Sequence, residues 1–212
     1  MLGNKTRSAK NTFEDIFLFL YLGAIAPISF FLAGWWGSYW LAPESQIPFF
    51  MLLGLGVGII IDLLFLGKWV YAAFQIHPMI LIAIYLFYSV GIYGFFMGVP
   101  VFNIIMGPLA GFYIGRRLKR EKADPEGTKR VIHRTGLLAS FVLAVACTAS
   151  LFLAASEVTL AGNINGMLRD MLGLNFTFNY QTILALSVFA GIGIVVMEYF
   201  LTRVVAKKAL SS

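Results

Sequence analysis

Few side chains in this 212-residue sequence could do chemistry, and four of them stand inside or beside long apolar runs: Asp62, His77, Asn103 and Glu198. An ionisable group in hydrocarbon is costly unless paired, so such groups mark proton relays, cation sites and counter-ions. Asp62 and Glu198 each fall about one turn inside the end of an apolar run, with Lys68 and His77 near the same end. Together they could form a proton or cation site. The competing arrangement pairs Asp62 with Lys68 and Glu198 with Arg203 and turns His77 to the headgroups. Towards the other end Asn103, Tyr93, Glu44 and Gln181 could line a polar pocket, or Asn103 could bond a neighbouring helix.

Catalytic signatures are missing. There is no H-E-x-x-H, no paired-Asp motif and no Cys pair. His77 and His133 are the only histidines, and both fall near one membrane surface, which does not suit haem ligation across a bilayer. Ser140, Ser150 and Ser187 have no base within their own runs, and Cys147 reads as a small buried apolar residue. The chain is expected not to be an enzyme, and to carry no metal and no cofactor.

The elements that must position these residues follow from composition. Hydrophobic residues make up 59%, charged residues 12%, and the mean hydropathy is +0.83. Soluble domains carry about 25% charged residues. Half that amount cannot cover a soluble surface, so the chain is an integral membrane protein. Continuously apolar runs, rather than alternating segments of about ten residues, exclude a barrel and leave helices. With roughly 20 residues per crossing, the sequence predicts a single transmembrane domain over 1–212, an all-α bundle of six helices. The spans are 16–36, 47–66, 78–97, 100–117, 133–155 and 179–201. The run from Trp69 to Gly115 is too long for one crossing and is expected to turn at Gly98-Val99-Pro100.

Six crossings gather fifteen of the sixteen Lys and Arg residues on one side and leave Arg169 alone on the other. The positive-inside rule then makes both termini cytoplasmic. Topology therefore accounts for the net charge of +6, and nucleic acid is not an expected partner. The expected partners are anionic lipid headgroups at the basic face and a further membrane or cytoplasmic protein. The expected location is a prokaryotic plasma (inner) membrane. The apolar start is long, lacks a small-x-small cleavage site before Trp35-Trp36 and reads as an uncleaved first helix.

Half of the basic residues lie in 116–134, read as a cytoplasmic hairpin turning at Asp124-Pro125-Glu126-Gly127, with Thr128 capping the next helix. The connection 157–179 on the opposite side carries Ile164, Met167, Leu168, Met171 and Leu172 at helical spacing. It predicts a short amphipathic helix capped by Asn163. Residues 67–77 are expected to form a similar inner segment.

Small residues bring membrane helices together. Gly54 and Gly58, and Gly107, Gly111 and Gly115, recur at four-residue spacing and are expected to be packing faces, as are Gly94 with Gly98 and Ser187 with Gly191. Pro27 and Pro108 should kink the first and fourth spans.

The function expected is a small-molecule transport protein or the membrane-embedded substrate-binding subunit of a transporter. A non-transporting scaffold, assembly or regulatory subunit is the alternative, and a lipid-modifying enzyme is the third reading. In size and topology the plan is similar to the vitamin-binding subunits of energy-coupling-factor transporters. The A-x-x-x-A pattern of that family's first helix is missing, because Ala24 and Ala26 stand two apart, and no residue role is carried over.

Overall fold

The computed structural model describes residues 9–122, 124–157, 159–173 and 177–211. Lys5, Arg7 and Asn175, and the side chains of Met167, Met171 and Leu172, lie outside the described residues. The described chain is all helical, with no strand among the described residues. The helices are α1 (Ala9–Gly23), α2 (Ile25–Leu41), α3 (Ile47–Ala72), α4 (Pro78–Phe95), α5 (Met106–Glu121), α6 (Pro125–Ser156), α7 (Leu160–Leu172) and α8 (Tyr180–Ser211). Tight 3-10 turns cover Glu44–Gln46, Ala73–Gln75 and Pro100–Ile105.

Proline sets many of these boundaries. It opens α4, α6 and the 100–105 segment and stands in the first turn of α3, where its missing N–H costs no helical bond. Pro27 acts differently. It cannot donate to the Gly23 carbonyl, and its ring clashes there, so the first apolar run divides at Ala24 into α1 and α2 instead of bending smoothly. Pro108 likewise lies in the first turn of α5, and the six residues before α5 tighten into 3-10 geometry in place of a kinked α-helix.

Five stretches are long and apolar enough to cross a membrane: 14–41, 44–75, 78–95, 125–156 and 180–211. The fourth expected span, 100–117, is the 3-10 segment followed by α5. α5 has only 16 residues and ends in Arg116, Arg117, Lys119 and Arg120. The 67–77 segment is no separate inner helix, because α3 continues through Trp69 to Ala72.

The chain forms two compact units, the first ending at Leu81 and the second beginning at Ile82 within α4. In the first, α2 and α3 run antiparallel at glycines. A β-carbon on Gly34, Gly54 or Gly58 would collide with the backbone at Phe50, Phe30, or Ala26 and Pro27 respectively. Trp36, Tyr39 and Trp40 are exposed at the end of α2 and pack edge to face.

In the second unit α4 ends in a reversal through Met97 (φ 54°) and Gly98 (φ 80°), where the Gly98 N–H closes back on the Tyr93 carbonyl at 2.8 Å. Positive φ is the conformation glycine adopts without penalty. The Ser150 hydroxyl donates to the Gly98 carbonyl at 2.5 Å and lies 3.0 Å from the Tyr93 hydroxyl, fixing this turn to α6. From there the chain descends antiparallel to α6, through a cluster of Tyr85, Met106 and Ala139 and then one of Leu118, Ile132 and Ala206. α8 runs parallel to α5 and antiparallel to α6, with the Ser140 hydroxyl bonded to the Val195 carbonyl at 3.2 Å.

Two local expectations change. Asp124 caps α6, accepting from the Gly127 N–H at 2.8 Å, while Thr128 is buried within the helix. The Asp-Pro-Glu-Gly turn is therefore the first turn of α6, since a type I turn and a helical turn share backbone angles. At the other end Thr159, not Asn163, precedes α7, and the Asn163 amide reaches back to the Glu157 carboxylate at 3.0 Å. Asn165 bonds the Phe178 backbone in both directions, at 2.8 and 2.9 Å.

Candidate functional site

Glycines at four-residue spacing put one open face on α5, and the matching face on α8 carries Glu198, Thr202, Ala206 and Ala209. Gly107 lies between Glu198 and Thr202, Gly111 between Thr202 and Ala206, and Gly115 between Ala206 and Ala209. Without β-carbons the two backbones approach closely, and Thr202 and Ala206 lose all solvent exposure. Glu198 is drawn into the same seam. It is 0% exposed, and a β-carbon on Gly107 would overlap its carboxyl group. Neither carboxyl oxygen makes a well-formed hydrogen bond among the described residues. The Arg203 pairing weighed from sequence is not formed: that guanidinium donates to the Tyr199 hydroxyl at 2.9 Å and stacks over its ring.

Asn103 stands one turn before Gly107, in the 3-10 segment, and is 3% exposed. Its amide donates to the Ser89 carbonyl on α4 at 3.0 Å, which ties the 3-10 segment to that helix. Its own Oδ1 and the Ser89 hydroxyl are buried without a hydrogen-bond partner among the described residues. The helix start at Gly107 thus has buried acceptor oxygens on two sides, from Glu198 on α8 and from Asn103.

The first unit repeats the motif in a simpler form. Asp62 on α3 is 9% exposed, its Oδ1 has no hydrogen-bond partner among the described residues, and its side chain faces Gly23 at the α1–α2 break. Lys68 does not pair with it and lies 5.7 Å from the Phe65 ring centroid. In both units a buried carboxylate faces a glycine where proline interrupts a helix. A proline in a helix leaves the carbonyl four residues earlier without its usual donor. In transporters, acids and carbonyls at interrupted helices form the donor set that binds a proton or a dehydrated cation.

His77 has a different position. It is exposed, and its Nδ1 accepts from the Met79 N–H at 3.3 Å, which caps the start of α4. Asp62 and His77 belong to the first unit, Asn103 and Glu198 to the second. Among the described residues no group of three or more His, Cys, Asp or Glu comes together.

Several contacts were not anticipated. Gly34 joins Gly54 and Gly58, whereas nothing approaches Gly94 within 4 Å, so it is not a packing contact among the described residues. Tyr199 bridges His133 Nδ1 (2.7 Å) and Arg203. The spacing of Glu198, Thr202, Ala206 and Ala209 was the signal for the α8 face, a small-residue row as regular as the glycines it meets. Scans against protein-family models, curated proteins and solved structures find no match to this chain.

Proposed function

We propose that this chain is a small integral membrane transporter, or the membrane-embedded substrate-binding subunit of one, in which Glu198 is the group that exchanges a proton or a cation. The observation that carries this reading is the fully buried carboxylate of Glu198, with no ion pair among the described residues, against Gly107 at the start of a broken helix. Leaving a charge unpaired in a packed interior costs several kcal/mol, and a packing role would be served better by an apolar residue. The repetition at Asp62 and Gly23 supports the same idea.

In this reading the 100–121 segment is a sixth crossing. Six 3-10 residues and sixteen α-helical residues extend about 36 Å, enough for a hydrocarbon core of about 30 Å. The basic residues of α5, the start of α6 and the end of α8 converge at one end of the second unit, while Arg169 lies on α7 after the opposite end of α6. That asymmetry supports a cytoplasmic C-terminus, and an even number of crossings then puts the N-terminus on the same side; the prokaryotic plasma membrane is part of the proposal.

The test needs no knowledge of the substrate. Proteoliposomes on a solid-supported membrane are subjected to pH and Na⁺ jumps, and charge displacement is recorded. The wild type should give a transient that Glu198→Gln abolishes. Equal transients in both, or none in either, would reject the assignment.

A further inference from the structure

We propose that the cleft between the start of α6 and the end of α8 is a seat for one anionic phospholipid, its phosphate held by Lys129, Arg203 and Lys207. The cleft has a volume of about 560 Å³, and its remaining lining is Thr128 and the apolar Pro125, Ile132 and Leu210. No carboxylate lines it among the described residues. The nearest acids in sequence are Asp124, engaged as the α6 cap, and Glu126 in the same turn.

Arg203 is prepared for this role. The Tyr199 hydroxyl, itself held by His133, accepts from Nη1, and the Tyr199 ring lies beneath the guanidinium at 5.2 Å. Its Nε is buried and makes no hydrogen bond among the described residues. A guanidinium fixed on one side with donors left over is suited to a phosphate oxygen, and an arginine already ordered loses little freedom on binding.

Depth identifies the source of the phosphate. From Lys129 to the end of α6 at Ser156 the helix rises about 40 Å, the hydrocarbon core plus part of each headgroup layer. The cleft therefore lies where lipid phosphates lie. Leu137 and Phe141 on α6 and Phe200 and Val204 on α8, all exposed, continue from it along the membrane-spanning parts of these helices. Acyl chains can cover such residues, and free phosphate cannot. The inference depends on the chain being a membrane protein and not on transport, so either can fail without the other.

The experiment is native mass spectrometry of the detergent-solubilised full chain, titrated with phosphatidylglycerol, phosphatidylcholine or inorganic phosphate. One phosphatidylglycerol should bind in preference to phosphatidylcholine. Lys129→Gln with Lys207→Gln should weaken it roughly 30-fold, about a factor of five per lysine. Arg203→Lys should weaken it further by removing the planar fork. The pair Lys119→Gln and Arg130→Gln, exposed and outside the cleft, should leave it unchanged. Equal loss in both double variants would mean diffuse attraction and would overturn the proposal. So would unchanged binding in the cleft variant, or competition by inorganic phosphate. Thermal melting and monodispersity of each variant establish that it is folded.

Discussion

Glu198 on α8 occupies the space that a β-carbon on Gly107 would fill, so the acid and the glycine are complementary parts of one contact. The contact sits where the 100–105 segment gives way to α5, and Asn103 ties that segment to α4 through the Ser89 carbonyl. A side chain with no exposure, and no ion pair among the described residues, is thereby held beside a helix interruption.

The glycine faces predict a hierarchy of damage. At Gly111 an added methyl group meets the Thr202 carbonyl, which is backbone. At Gly107 it meets the ends of the Glu198 and Thr202 side chains, which have more freedom to move. Overpacking costs typically about 1–3 kcal/mol. Gly111→Ala should lower the melting temperature more than Gly107→Ala. Gly56→Ala, where nothing lies within 4 Å, should be neutral or stabilising by up to about 1 kcal/mol. Melting curves in one detergent check the order.

Asn103→Leu removes the amide bond to the Ser89 carbonyl and should destabilise by about 1–3 kcal/mol, the cost of a buried acceptor left unpaired. Asn103→Asp loses the same donor and adds an acid, and should melt lower still. A melting temperature for Asn103→Leu equal to wild type would mean that the 3-10 segment is held by packing alone.

Asp62→Asn separates structural from functional use of the second orphan acid. Asp62 has no ion pair among those identified, and neutralising it at constant shape should leave the melting temperature unchanged or raise it. If Asp62 shares the ion-exchanging role, the same variant should reduce the charge displacement described for Glu198→Gln. A marked loss of stability would instead assign Asp62 a structural partner.

The proposed six-crossing topology can be tested with single cysteines, because Cys147 is the only cysteine in the sequence. In a Cys147→Ser background, Glu126→Cys should react with a membrane-impermeant maleimide only from the cytoplasmic side. Met97→Cys, exposed at the opposite end of the 100–121 segment, should react only from the outside. Labelling of both from one side would contradict the sixth crossing at 100–121.

Much of this fold was legible because hydrocarbon leaves the backbone few choices. Apolar runs and prolines located the helices, and the charge bias predicted which ends of α5, α6 and α8 would meet. Boundaries were harder where two readings share geometry, as at Asp124, where a turn and a helix start look alike. The break at Pro108 was predicted as a kink, since nothing local announces 3-10 geometry before it. The site was half visible. Asp62, Asn103 and Glu198 stood out as polar groups in apolar runs. Which glycine each acid faces depends on the register between helices, and a single sequence does not carry it. His77 stood out for the same reason as the acids, but it caps α4.

The most direct test of the central claim is carbodiimide modification of Glu198, followed by peptide mass spectrometry across pH 5 to 9 (roughly the span over which a perturbed carboxyl exchanges its proton), with and without Na⁺. Dicyclohexylcarbodiimide attacks protonated carboxyl groups in apolar surroundings. The account predicts that Glu198 is modified selectively over the exposed Glu126 and Glu157, faster at low pH, with Na⁺ slowing the reaction if the site takes that cation. A Glu198 that stays unmodified throughout, in protein whose exposed carboxyls do react, would contradict it.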